Sequence, residues 1–138
     1  MSRVQLALRV SDLEGSIDFY RSLFGVEPAK LRPGYANFAI VEPPLKLVLI
    51  EGEPDQATVL DHLGVEVATT DEVTAATTRL AGLGLATLEE NDTTCCYALQ
   101  DKVWVTDPNG YKWEVFVVKV GDAAISAEAC CASTCCHE

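Results

Sequence analysis

The chain has 138 residues, 49% hydrophobic and 22% charged, enough for one compact domain or two small fused modules. Ten Lys and Arg stand against 21 Asp and Glu, a formal charge of -11 that repels phosphate backbones and argues against a nucleic-acid partner. No apolar run approaches the roughly 20 residues of a spanning helix, and Met1 to Val10 alternates polar and apolar residues where a secretory signal needs a basic start and an apolar core. No membrane partner and a cytoplasmic location are expected.

The first half opens with Val4-Gln5-Leu6-Ala7-Leu8-Arg9-Val10, a strand alternation with Leu6, Leu8 and Val10 on one face. Ser11 and Glu14 read as a capping box, after which Leu13, Ile17, Tyr20 and Phe24 recur at helical spacing until Gly25. Extended stretches follow near Pro28 to Leu31, Tyr35 to Val41 and Leu45 to Glu51, broken by Pro33-Gly34 and Pro43-Pro44. Asp55 to Val59 reads as a linker.

The second half repeats the order with different residues. His62 to Val67 is strand-like, Thr69 and Glu72 form a capping box, and Val73, Ala76, Leu80 and Leu83 make a helical stripe that stops at Gly84. Extended segments cover about Ala86 to Glu90, Cys96 to Thr106 with an interruption near Gln100-Asp101, and Tyr111 to Lys119, the last two joined by the turn Asp107-Pro108-Asn109-Gly110. The expectation is an α+β fold of two βαβββ modules in one chain, residues 3–52 and 60–119, forming one domain over residues 1–120 with a cleft between the modules. Residues 121–138, rich in Ala, Ser and Cys, read as a flexible Cys-rich tail.

Aligning the two copies places Gln5 opposite His62 and Val48 opposite Glu114. Three of these four can bind a metal; Val48 cannot. Taken singly, Gln5 and Glu114 read as ordinary strand polars and His62 as a structural histidine; equivalence in the repeat is what gives them weight. By the period-2 rule Gln5 shares a face with Ala7, His62 with Gly64, and Glu114 with Phe116 and Val118. A carboxylate among such apolar neighbours wants a cation. One imidazole, one carboxylate and one amide oxygen resemble the ligand face of non-haem ferrous oxygenases, with about three positions left open on a six-coordinate ion.

All six cysteines occur as neighbours, Cys95-Cys96, Cys130-Cys131 and Cys135-Cys136. Adjacent residues bridge only through a strained ring, so reduced thiols are expected. Thiolates are soft donors suited to thiophilic centres such as trivalent arsenic.

The glutamine-led first strand, Ser16 to Gly25, the His62 strand and Asp107 to Glu114 together resemble the vicinal oxygen chelate superfamily, which includes glyoxalase I, extradiol dioxygenases and fosfomycin and bleomycin resistance proteins. The Thr93-Thr94-Cys95-Cys96-Tyr97 segment and the cysteine-rich tail narrow the resemblance to its carbon-arsenic lyase group, similar also to cadmium-induced proteins. The resemblance implies Fe(II)- and dioxygen-dependent cleavage of the carbon-arsenic bond of trivalent organoarsenicals, such as methylarsenite and trivalent aromatic arsenicals, with release of arsenite. It places Gln5, His62 and Glu114 on the metal and Cys95 and Cys96 on the substrate.

The chemistry agrees. A methyl- or arylarsenite has one carbon substituent and two exchangeable oxygens, so two thiolates complete a three-coordinate arsenic. In a regular strand Cys95 and Cys96 face opposite sides, so joint binding needs a turn or bulge, for which Asn91-Asp92-Thr93-Thr94 is suited, and a mobile loop closing the arsenic over the iron is expected. The competing account of that pair is two buried small hydrophobes, which their polar neighbours weaken in favour of arsenic capture. Cys130, Cys131, Cys135, Cys136 and His137 are expected at most to capture or relay arsenicals, and Lys102 and Tyr97 are as compatible with surface positions as with donors in the cleft. Two other functions stay open: a soft-metal (cadmium or arsenic) sequestering protein without turnover, and a glyoxalase-type isomerase or thiol transferase, against which Val48 speaks. A monomer suffices to build the cleft, and a homodimer is equally compatible.

Overall fold

The computed structural model describes residues 2–95 and 98–120. Its elements are β1 (Arg3–Val10), α1 (Leu13–Phe24), β2 (Lys30–Arg32), β3 (Tyr35–Ile40), β4 (Leu45–Glu51), β5 (Val59–Glu66), α2 (Thr70–Gly82), β6 (Leu88–Cys95), β7 (Ala98–Thr106) and β8 (Lys112–Val120). The expected βαβββ order is present twice. All eight strands form one sheet in the order β2-β3-β4-β1-β5-β8-β7-β6. Each copy contributes four consecutive positions, and the copies meet where β1 pairs antiparallel with β5. Within each copy the first and last strands run parallel, β1 with β4 and β5 with β8.

Strand alternation divides the sheet into an outer and an inner face. On the outer face Val10, Ala36, Phe38, Ile40, Leu47 and Leu49 form a core onto which Leu13, Ile17, Tyr20 and Phe24 of α1 pack. Val73 and Ala76 of α2 pack in the same way on Val103 and Val117. The inner face carries Ala7, Tyr35, Val48 and Ile50 in the first copy. Residues from strands far apart in the sheet order, Asn37 and Lys46 on one side and Ala98, Gln100 and Val118 on the other, line one cavity of about 230 Å³. The sheet therefore curls, with its inner face concave.

Three local expectations are revised. The cap of α1 is Asp12, not Ser11: its carboxylate accepts from Gly15 N at 2.9 Å, and Gly25 ends the helix in the left-handed region at φ 67°. Strand β7 runs unbroken past Gln100-Asp101; the irregularity lies on its partner β6, where Asn91 and Asp92 together oppose Asp101 and the register shifts. Asp101 causes this, since its carboxylate accepts from Asp92 N at 2.7 Å and from the Thr70 hydroxyl at 2.8 Å, tying the bulge to the start of α2. Finally, β5 begins at Val59, which takes that residue out of the linker. The Thr69–Glu72 capping box is present as expected.

Gly64 of β5 sits opposite Glu114 of β8. A Cβ at 64 would lie 3.0 Å from the Glu114 carbonyl oxygen and 2.9 Å from its Cγ, closer than real Cβ contacts allow. Backbone on one side cannot give way, so Gly64→Ala is expected to destabilise the protein by about 1–3 kcal/mol, the ordinary cost of overpacking, read as a lowered midpoint of thermal unfolding.

Candidate metal centre

Gln5, His62 and Glu114 come from three neighbouring strands, β1, β5 and β8, and all are buried on the inner face. Their side chains meet. His62 Nε2 lies 2.9 Å from Glu114 Oε2, and Gln5 Nε2 donates to that same oxygen at 2.6 Å while standing 3.2 Å from His62 Nε2. The missing side chain of Gly64 makes room for this convergence, since its Cβ would also come within 3.2 Å of Gln5 Nε2. The glutamate fills the space beside that glycine.

Electrostatics explain how a carboxylate exposed to only 3% persists there. Burial by itself raises the Glu114 pKa, but the Lys102 ammonium, with Nζ 2.7 Å from Oε1, and the His62 ring hold it down to about 2. Burial likewise lowers His62, yet its hydrogen bonds to Asp61 and Glu114 outweigh that and raise it to about 9. At neutral pH the metal-free centre therefore holds imidazolium and ammonium against carboxylates. Trp104 packs edge-on to the imidazole with ring centroids 5.4 Å apart, its Nε1 donating to Glu90 at 3.0 Å.

The donor set is one imidazole nitrogen, one carboxylate oxygen and one carboxamide. Among the described residues no three His, Cys, Asp or Glu gather, so a three-donor site at this point would draw on the amide as well. An amide nitrogen offers no lone pair, so Gln5 would ligate only after rotation of its terminal torsion presents the oxygen. A mixed N and O set of this kind fits a borderline or hard divalent ion. Val48, the fourth equivalent position, is buried with Ala7, Tyr35 and Ile50 and supplies no donor.

The sequence left Lys102 between a surface position and a donor in the cleft, and missed Asp61 and Arg9. Lys102 lies in the cleft: it is fully buried, in contact with Glu114 and facing the rings of Trp104 and Phe116 at 5.3 and 5.9 Å. Asp61 touches His62 Nδ1 at 2.8 Å, and Arg9 touches Asp61 at 3.0 Å. The acid beside the histidine was visible in the sequence, but strict alternation sends neighbours to opposite faces. A register shift between Ala7 and Leu8 leaves Asp61 as the extra residue of β5 and breaks that alternation.

Cys95 ends β6, paired with Ala98 of β7, and Ala98 lines the 230 Å³ cavity together with Gln100, Lys46 and Asn37. Ala98, the first residue of β7, thus borders the same concave face as Gln5, His62 and Glu114. Cys96, Tyr97 and the tail cysteines lie outside the described residues.

Comparison with known proteins follows this geometry. The model of the glyoxalase/bleomycin resistance protein/dioxygenase superfamily matches residues 3–115. A trivalent organoarsenical cleaving enzyme of Thermomonospora curvata is 68% identical over 135 residues, 95% of this chain and 89% of its own. Cadmium-induced protein CadI of Mycobacterium tuberculosis is 60% identical over 86% of this chain and 77% of its own length. Among solved structures, an extradiol ring-cleaving dioxygenase from B. fuscum superposes with a TM-score of 0.63 at 25% identity, over 84% of this chain and 32% of that one. With a paired βαβββ sheet and a family match spanning most of its length, the chain belongs to the glyoxalase/bleomycin resistance/dioxygenase superfamily.

Proposed function

We propose that this protein is an enzyme that cleaves the carbon-arsenic bond of trivalent organoarsenicals, among them methylarsenite and trivalent aromatic arsenicals, releasing arsenite. The observation that carries the proposal is the convergence of Gln5, His62 and Glu114 within 3.2 Å on the concave face. The substrate class follows from the relative named for organoarsenical cleavage at 68% identity. Gln5, His62 and Glu114 would hold Fe(II), and Cys95 and Cys96 would hold arsenic as thiolates, which suits a reducing cytosol. No helix is long and apolar enough to cross a membrane. Both halves of the centre come from one chain, so a monomer is sufficient.

When bound, Fe(II) would supply activation of dioxygen at positions the protein leaves open. The chain's own residues do the rest. Lys102 contacts Glu114 Oε1 and leaves Oε2 as the oxygen aimed at Gln5 and His62. Phe116 and Trp104 wall the centre with apolar surface, which keeps bulk water from the carboxylate. The two thiolates replace the two exchangeable oxygens on arsenic and leave its carbon substituent free to point into the cavity beside Ala98 and Gln100. Lys102 lies four residues along β7 from Ala98, on the order of 13 Å at the rise of a strand.

A thiol-only sequestering protein has no use for a buried imidazole-carboxylate-amide centre, and a four-ligand isomerase lacks its fourth ligand at Val48.

Purified protein supplied with Fe(II), air and methylarsenite is expected to release arsenite, and Cys95→Ser or Cys96→Ser to reduce the rate at least a hundredfold. Stoichiometric arsenic binding without product, undiminished in Glu114→Ala, is the result that would overturn the assignment.

Metal uptake also has to expel the proton that His62 holds up to a pH of about 9. Below that pKa the apparent Fe(II) affinity is expected to rise about tenfold per pH unit, because the protonated fraction competes with the metal. Chelator competition under argon between pH 6.5 and 8.5 measures the slope; a pH-independent affinity contradicts ligation through His62.

A further inference from the structure

Two carboxylates flank His62, and only Glu114 belongs to the donor trio. Asp61 meets the other ring nitrogen, Nδ1, at 2.8 Å through its Oδ2. Its Oδ1 accepts from Arg9 Nε at 3.2 Å and from a terminal Arg9 nitrogen at 3.0 Å, so both prongs of the guanidinium grip one carboxylate oxygen. Arg9 is itself anchored by donation to the Glu51 carbonyl at 3.3 Å. The Asp61 side chain is 7% exposed, so little water competes for these bonds.

The backbone is bent to make this possible. Ala7 pairs with His62 and Leu8 with Leu60, which leaves Asp61 as an inserted residue with no partner on β1. A bulge of this kind turns a side chain that alternation would send to the other face. At the equivalent point of the first copy, Val4 precedes Gln5 without a register shift, and it remains 48% exposed.

We propose that Asp61, held by Arg9, is a positioning residue for the metal centre: it keeps the proton of His62 on Nδ1 and fixes the plane of the ring, so that Nε2 presents its lone pair to the ion shared with Gln5 and Glu114. The inference rests on the metal assignment made above. A histidine that ligates through one nitrogen has two tautomers, and only the one protonated on the other nitrogen binds. A carboxylate on Nδ1 selects that tautomer and makes the ring a stronger donor. Arg9 keeps the carboxylate ionised and its oxygens oriented. Neither Asp61 nor Arg9 touches the substrate or the ion, and both act through His62.

The test uses the full chain and Fe(II) itself under argon, with affinity read by competition against a chromophoric chelator. Asp61→Ala is expected to weaken binding roughly tenfold to a hundredfold, the usual effect of losing such a carboxylate. Arg9→Met should weaken it severalfold, and the double variant no more than Asp61→Ala alone, because the two act in series. Asp61→Asn, which preserves shape, guards against misfolding of the alanine variant. In the Zn(II)-loaded protein, long-range proton-nitrogen spectra should show His62 protonated on Nδ1, with a strongly downfield proton that moves upfield in Asp61→Asn. A purely structural aspartate would not shift that signal. Unchanged Fe(II) affinity in both Asp61 variants, or an unmoved Nδ1 proton, overturns the inference while leaving the metal assignment intact. Absence of Fe(II) binding by the wild-type chain overturns both.

Discussion

The carboxylate of Glu114, buried on the concave side of a curled sheet, is the constraint around which the molecule is arranged. An unpaired charge in such a place costs several kcal/mol or neutralises itself. Four devices prevent that: the ammonium of Lys102, the ring of His62, the amide of Gln5 and the missing side chain at Gly64. Each comes from a different strand or a different point on one, β7, β5 and β1. The centre is therefore a property of the assembled sheet and not of any local segment. A single copy of the module cannot make it, because Gln5 belongs to the first copy while His62, Lys102 and Glu114 belong to the second.

The repeat and the convergence of Gln5, His62 and Glu114 were legible in the sequence because both rest on period-2 alternation, which survives around those residues in β1 and β8. Where alternation fails, sequence reasoning fails with it. Asp61 is the clearest case. The bulge that carries it inward has no glycine or proline to announce it, and strict alternation assigns it to the outer face. Asp101 misleads in a different way: its polarity suggested a break in β7, whereas its carboxylate stabilises a break in the neighbouring strand. Lys102 stayed undecided between surface and cleft because lysine is almost never fully buried unless paired, and its partner lies twelve residues on in sequence, brought near only by the pairing of β7 with β8.

Duplication of a module usually produces two equal halves, and the inequality here carries the chemistry. At the position where the second copy places Glu114, the first places Val48 in an apolar cluster with Ala7, Tyr35 and Ile50. Where the second has an imidazole gripped by a carboxylate, the first has a neutral amide. The carboxylate and the imidazole come from one half, and the other supplies an apolar cluster, one amide and the Arg9 guanidinium that grips Asp61. A centre built symmetrically from four ligands would saturate more of an ion's coordination sphere and leave less room for reactants. With Val48 at that point, a three-donor centre would leave more of an ion's coordination sphere open.

Softness separates the two halves of the proposed reaction as cleanly as geometry does. The cysteines are confined to Cys95-Cys96 and to positions 130–136 of the sequence, while Gln5, His62 and Glu114 offer only nitrogen and oxygen. A thiophilic arsenic and a borderline ferrous ion would therefore sort to different donors without a selectivity filter. The separation has a mechanical corollary. Had a cysteine replaced Gln5, arsenite could bind at the centre itself and block it, and the released product would compete with the metal. Donors of different softness would let the metalloid leave by exchange with thiols in solution while nitrogen and oxygen ligands stay in place.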